Sequence, residues 1–274
     1  MKKSGKTKKH HIIFILFIII AGIFLLHEEF GKEKNPKLPP RITKPEKKSE
    51  TFLPKSSKPK VAIIIDDLGP NKDAAKEVFA LKAPFTLSIL PQQPYSAWVA
   101  EEGHRLGHDI MAHIPMEAEK SYKLGEGGLY TWMTDKELTD TLNKDILSVP
   151  HALGVSNHMG SAFTQDERSM QILISALKKK NLFFLDSVTS SKSVGFHLAA
   201  MHGITALNRD IFLDDKDDPA EIEKQWKKLV NTANKKGYAV LLAHPRENTI
   251  EFLRRTLRNN KEITIVPISE LVSK

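Results

Sequence analysis

At 274 residues, with 41% hydrophobic and 27% charged side chains, the chain has the composition of a globular protein with enough apolar material for one sizeable core. Its formal charge of +8 is concentrated at one end: residues 1–60 hold 15 Lys/Arg against 5 Asp/Glu, leaving 26 against 28 in the remaining 214. The part expected to fold is therefore slightly acidic, which removes the main support for nucleic-acid binding, and the absence of cysteine excludes disulfides and thiolate chemistry.

Residues 1–11, MKKSGKTKKHH, are a basic flank ahead of fifteen uncharged residues, Ile12–Leu26. A spanning helix needs about 20 apolar residues and a secretory apolar core about 7 to 15, so 12–26 reads as a membrane-targeting segment at the boundary between the two. The region Leu25–Glu29 offers no small-x-small cleavage pattern. The reading is therefore an uncleaved signal anchor with its basic end in the cytoplasm and the domain on the periplasmic or cell-envelope face; a cleaved signal, and a secreted protein, is the alternative. Residues 27–59 are Lys- and Pro-rich with hardly any apolar periodicity, the signature of a disordered tether.

From residue 60 to 274 the pattern is that of a folded domain. Apolar runs predict strands at VAIII, FTLSIL, DIMAHI, ALGVSN, LFFLD, GITAL, YAVLLAH and ITIVPI, in that order. Helices are expected between them. Capping boxes are read at Thr134–Glu137 and Thr164–Glu167, and Asp218 followed by Pro219 opens a helix that Gly237 closes. Strands that are apolar throughout and alternate with helices imply an α/β domain, its mostly parallel sheet covered on both faces; about eight strands fit one domain of barrel type.

In such folds the working residues lie where strands end. Those positions hold Asp66 and Asp67 after the first strand, His113 after the third, Asn157 and His158 after the fourth, Asp186 and Ser187 after the fifth, and His244 after the seventh. A carboxylate and two imidazoles on one rim make a mixed N/O site that suits a divalent ion, Zn²⁺ above all. An ion also explains two adjacent carboxylates at the end of a buried strand: one binds it while the other stays ionised beside it as a base.

IIIDDLG, IMAHIPME, GVSNHMGS and LLAHP, in this order, resemble the divergent branch of the bacterial polysaccharide deacetylases from about residue 60 to the C-terminus. The resemblance implies a distorted (β/α) barrel and metal-dependent removal of N- or O-acetyl groups from an acetylated polysaccharide or oligosaccharide. It implies Asp66 as catalytic base, Asp67 as metal ligand and His244 as general acid, with His113 as a second ligand. The main family supplies its other His ligand from an H-x-x-x-H pair, but here that loop reads His113-Ile-Pro-Met-Glu117. The third ligand is then either His158, the preferred reading, or Glu117. An Arg-Pro-Pro-type motif of the main family is also absent. Asn157, Asp186, Trp132 and Arg209 are candidate substrate contacts: Trp132 and Tyr130 lie in a Gly-rich loop that could wall a glycan groove, whereas Trp226 sits on a helix face and reads as core. Two rival readings are a tethered glycan-binding or scaffold protein that has lost its reaction, and a two-metal phosphoesterase.

Overall fold

The computed structural model describes residues 58–120 and 122–272, so the targeting segment and most of the tether fall outside the described residues. Among the described residues no helix is long and apolar enough to cross a membrane.

Among the described residues nine strands form one sheet: β1 (Lys60–Leu68), β2 (Thr86–Ile89), β3 (Asp109–Met116), β4 (Ala152–Met159), β5 (Phe183–Asp186), β6 (Ala206–Asn208), β7 (Ile211–Phe212), β8 (Tyr238–Ala243) and β9 (Thr264–Val266). The order is β6-β5-β4-β3-β2-β1-β8-β7, every pairing is parallel, and β9 pairs with the lower end of β1. The sheet curls, and its two edges come from one stretch of chain. Between β6 and β7 the N–H of Arg209 donates to the Asp186 carbonyl on β5, and the N–H of Asp210 donates to the Val240 carbonyl on β8. These bonds extend the β5–β6 and β7–β8 pairings, and β6 and β7 themselves do not pair, so the sheet is a curled, incomplete barrel whose two edges are linked through the chain at Arg209–Asp210. The two-residue β7 was not among the expected strands, because so short a run carries no periodicity.

The strands are apolar on both faces because each face has its own core. Val61, Ile63 and Ile65 of β1 pack outward with Ile110, Ala112, Leu241 and the helices, whereas Ala62 and Ile64 point inward with Met111, Leu185, Val240 and Leu242. The covering helices are α1 (Lys72–Phe79), α2 (Ser96–Arg105), α3 (Asp135–Leu147), α4 (Glu167–Lys179), α5 (Gly195–Met201), α6 (Pro219–Lys236), α7 (Glu247–Asn259) and α8 (Ser269–Val272). Thr134 and Glu137 form the expected capping box on α3, and Asp218 caps α6, which ends in a left-handed Gly237 at φ 84°. The second expected box does not form. Asp166 caps α4 by accepting from the Ser169 N–H, while Thr164 lies in a 3₁₀ turn and donates its hydroxyl proton to the Gly160 carbonyl.

Candidate functional site

Strand periodicity delivers most of the site. Continuing the inward face upward gives Asp66 above Ile64, His113 above Met111, His158 above Ser156, and His244 above Leu242, in the C-terminal halves of their strands or, for His244, just beyond. Asp67, one residue on, would point outward in a regular strand. It adopts a left-handed conformation, φ 59°, where the β1–β2 register shifts, and this brings its carboxylate back beside that of Asp66. Asp tolerates this region better than most residues, so both members of the pair reach one cleft.

The cleft has a volume of about 400 Å³ and is lined by Asp66, His113, His158, Ser187, Arg209 and His244, among others. Asp67 Oδ1 lies 2.8 Å from His158 Nδ1 and 3.3 Å from His113 Nε2, and Oδ2 lies 3.5 Å from His244 Nε2. One ligand atom from each of Asp67, His113 and His158 falls within 4.8 Å of the other two. Neither Asp67 Oδ1 nor Asp66 Oδ1 accepts an aligned hydrogen bond, although both are buried. Buried carboxylate oxygens that lack an aligned hydrogen bond and face two imidazoles fit a divalent cation, and a carboxylate with two imidazoles is a donor set suited to zinc. The opposite nitrogen of His113 is fixed from behind: Nδ1 lies 2.7 Å from Ser156 Oγ, itself 3.0 Å from Ser88 Oγ.

Charge separates the two aspartates. Burial pushes the Asp66 carboxyl above its ordinary range, with His113 and the Ser88 hydroxyl offsetting part of the effect. Burial acts on Asp67 in the same sense, but the contacts with His113 and His158 outweigh it and hold Asp67 well below the carboxylate range. His244 has a buried partner of its own: Asp214 Oδ1 is 3.1 Å from its Nδ1, and Asp214 Oδ2 accepts the His244 N–H and the Thr249 hydroxyl, each at 2.8 Å. Burial alone would lower the pKa of His244; Asp214 reverses this and raises it.

Other expected residues fall differently. Glu117 is turned away from Asp67 and His113, its Oε2 accepting both the N–H and the hydroxyl of Thr131, and the third side chain beside those two is His158. Asn157 lines the cleft, but its side chain ties loops together: Oδ1 accepts from the Ser187 N–H, and Nδ2 donates to the Met159 carbonyl and Thr189 Oγ1. Asp186 caps its own turn, accepting from the Val188 N–H and the Ser193 hydroxyl. Arg209 does line the cleft, its guanidinium donating to the carbonyls of Ser187 and Val188 and leaning on the Phe212 ring. Trp132 stands exposed on its loop, and Trp226 is buried against Phe252. Sequence reading missed Asp214, Ser88 and Ser156. Only Asp214 carried a usable signal, as one of the charges in NRDIFLDD beyond a short apolar pair.

The backbone is strained along the same rim, where Met159 at φ 54° and Val188 at φ 49° join Asp67 in the left-handed region. A β-branched residue there costs on the order of 1 kcal/mol or more, and such strain gathers at working sites. Among the described residues Asp67, His113 and His158 form the one cluster of this kind, leaving no second ligand set for a two-metal phosphoesterase.

Comparison with known proteins bears on the fold and the family. An uncharacterised Agrobacterium tumefaciens protein of known structure shares the fold with a TM-score of 0.75 at 23% identity, over 78% of this chain and 89% of its own. The chain is 39% identical over 203 residues to an uncharacterised Haemophilus influenzae protein, covering 74% of this chain and 72% of the relative. It is 31% identical over 216 residues to Escherichia coli YibQ, covering 78% and 68%. The family model described as divergent polysaccharide deacetylase matches residues 63–272, spanning the whole strand-end cluster, and the chain thus belongs to that family.

Proposed function

We propose that the protein is a metal-dependent hydrolase that removes acetyl groups from an N- or O-acetylated glycan of the cell envelope, held at the membrane by its N-terminal segment with the domain extracytoplasmic. The observation that carries this reading is the convergence of Asp67, His113 and His158, with Asp66 on one side and the His244–Asp214 pair on the other. Asp67, His113 and His158 would hold a divalent ion, zinc in the first instance, which when bound supplies Lewis acidity to the acyl carbonyl and makes water more acidic.

Asp66, buried and without a hydrogen bond on Oδ1, takes a proton from the attacking water as its oxygen bonds to the acyl carbon. His244 gives its Nε2 proton to the departing nitrogen or oxygen as the bond to the acyl carbon breaks, leaving acetate and a free amine or hydroxyl. Asp214 keeps the His244 ring in the orientation this requires and stabilises its protonated form. The Ser88–Ser156 pair holds the tilt of the His113 ring.

The test is metal content by mass spectrometry on tag-free protein, beside acetate release from acetylated glycans. About one equivalent of metal, lost in His158→Ala together with acetate release, is the expected result. No metal after reconstitution, and no acetate released, would overturn the reading and leave a tethered glycan-binding protein.

A further inference from the structure

Tyr130 and Trp132 sit outside the machinery above, and their setting is unusual for exposed aromatics. Trp132 is 71% exposed, the most of any aromatic residue among those described, and its ring stacks on Tyr130 with centroids 5.4 Å apart and planes 23° from parallel. The backbone on both sides of Trp132 is nevertheless pinned. Thr131 donates its N–H and hydroxyl to Glu117 Oε2 at 2.7 and 2.6 Å, and Arg168 donates to the carbonyls of Thr131 and Met133. Leu129 bonds back to the end of β3, its N–H to the Pro115 carbonyl and its carbonyl to the Glu117 N–H. An apolar surface held rigid in water, rather than folded away, points to something that covers it.

Its place says what. Glu117 follows β3, which carries His113, and its carbonyl accepts the N–H groups of Ala162 and Phe163, just beyond the β4 end that carries His158. The ring pair thus belongs to a loop tied to the C-terminal ends of β3 and β4, the two strands that carry His113 and His158 into the cleft. Two aromatic rings beside Asp135 and Arg168 offer far less than the ~800 Å² per partner of a stable protein interface. They match the apolar C–H face of a sugar ring, while the surrounding polar groups suit its hydroxyls.

We propose that Leu129–Met133 is a preformed stacking platform for a sugar unit of a glycan chain whose neighbouring unit enters the cleft, and that Glu117 is the positioning residue that holds it. This rests on the glycan reading above and narrows it: the substrate is a chain of several sugars, not a monosaccharide. Glu117, four residues after His113, thereby serves the loop instead of the ligand set.

The probes are N-acetylglucosamine oligomers of one to six units, titrated into the full chain in detergent by calorimetry, with ¹⁹F NMR of fluorotryptophan-labelled protein assigned through Trp132→Phe. Affinity should rise with oligomer length, and the Trp132 resonance should shift on binding. Trp132→Ala should weaken hexamer binding about tenfold, within the range that aromatic stacking supplies, while leaving monomer binding little changed. Glu117→Ala should flatten the length dependence and broaden the Trp132 resonance, and Glu117→Gln, which retains an acceptor oxygen, should restore part of both.

Equal affinity for all lengths, no shift at Trp132, or full hexamer affinity in Trp132→Ala would overturn the platform. Binding is read apart from turnover. Acetate release that does not depend on oligomer length would sink the platform alone, whereas neither binding nor release with any oligomer would sink the glycan reading with it.

Discussion

Asp66 and Asp67 are chemically identical neighbours that the fold treats in opposite ways. Burial lifts the carboxyl of Asp66, while two imidazoles hold Asp67 ionised, so one is suited to exchange a proton and the other to bind a cation. Asp66→Asn should therefore lower acetate release by at least about 10²-fold, a typical contribution of a general base, with metal content unchanged. Near-normal turnover would show that the base lies elsewhere. Asp214→Asn preserves shape but removes the charge that faces His244 Nδ1. It should lower turnover by about 10²-fold or more, and ¹⁵N NMR should show a changed His244 tautomer population. An unchanged tautomer at wild-type rate would make Asp214 a purely structural acid. Asp66, Asp67 and His244 could be picked out from the sequence because each directly ends an apolar run. Asp214 gave a weaker signal, because β7, the strand before it, is only two residues long and does not read as a strand.

At the scale of elements, one buried acid is a liability with a pH signature. Asp145 in α3 is fully buried; its Oδ1 accepts from the Gln92 side-chain amide at 2.5 Å, and its Oδ2 has no partner. Burial pushes its carboxyl up to about 7, with Gln92 offsetting only part of the effect. A carboxyl whose folded pKa lies above its unfolded one stays protonated in the fold while the unfolded chain ionises. Its contribution is fully present below about pH 4 and is lost as pH rises to about 7. Unfolding free energy should fall by about 2–3 kcal/mol between pH 5 and pH 8 from this group. Asp145→Asn, which keeps an acceptor for Gln92, should remove that slope; an equal slope in both proteins would place the titration elsewhere. The α3 and α6 caps were readable because capping is local. The false box at Thr164 shows the limit of such patterns: two overlapping cap sequences compete there, and the Thr164 hydroxyl is taken by the Gly160 carbonyl.

For the whole molecule, the ligand cluster joins β1, β3 and β4, so an ion held there would tie together strands distant in the chain. Anything that binds the folded state alone stabilises it by mass action, about 2.7 kcal/mol at a hundredfold excess over Kd. Zinc should therefore raise the melting temperature of the wild type, a chelator should lower it, and Asp67→Ala or His158→Ala should abolish the response. A melting temperature indifferent to metal in the wild type would count against the site.

The sequence by itself determined the alternation of apolar strands with capped helices, the carboxylates and imidazoles at strand ends, and, through the two-residue period, which of them face inward. These properties are local, set within a few residues of chain. Only the tertiary structure brought His158 rather than Glu117 beside Asp67 and His113, turned Asp67 back toward the imidazoles, gave His244 its partner in Asp214, and set Asn157 and Asp186 to holding loops. Each of those outcomes depends on how far the sheet curls and where separate strands fall in register, and therefore on contacts between residues far apart in the chain.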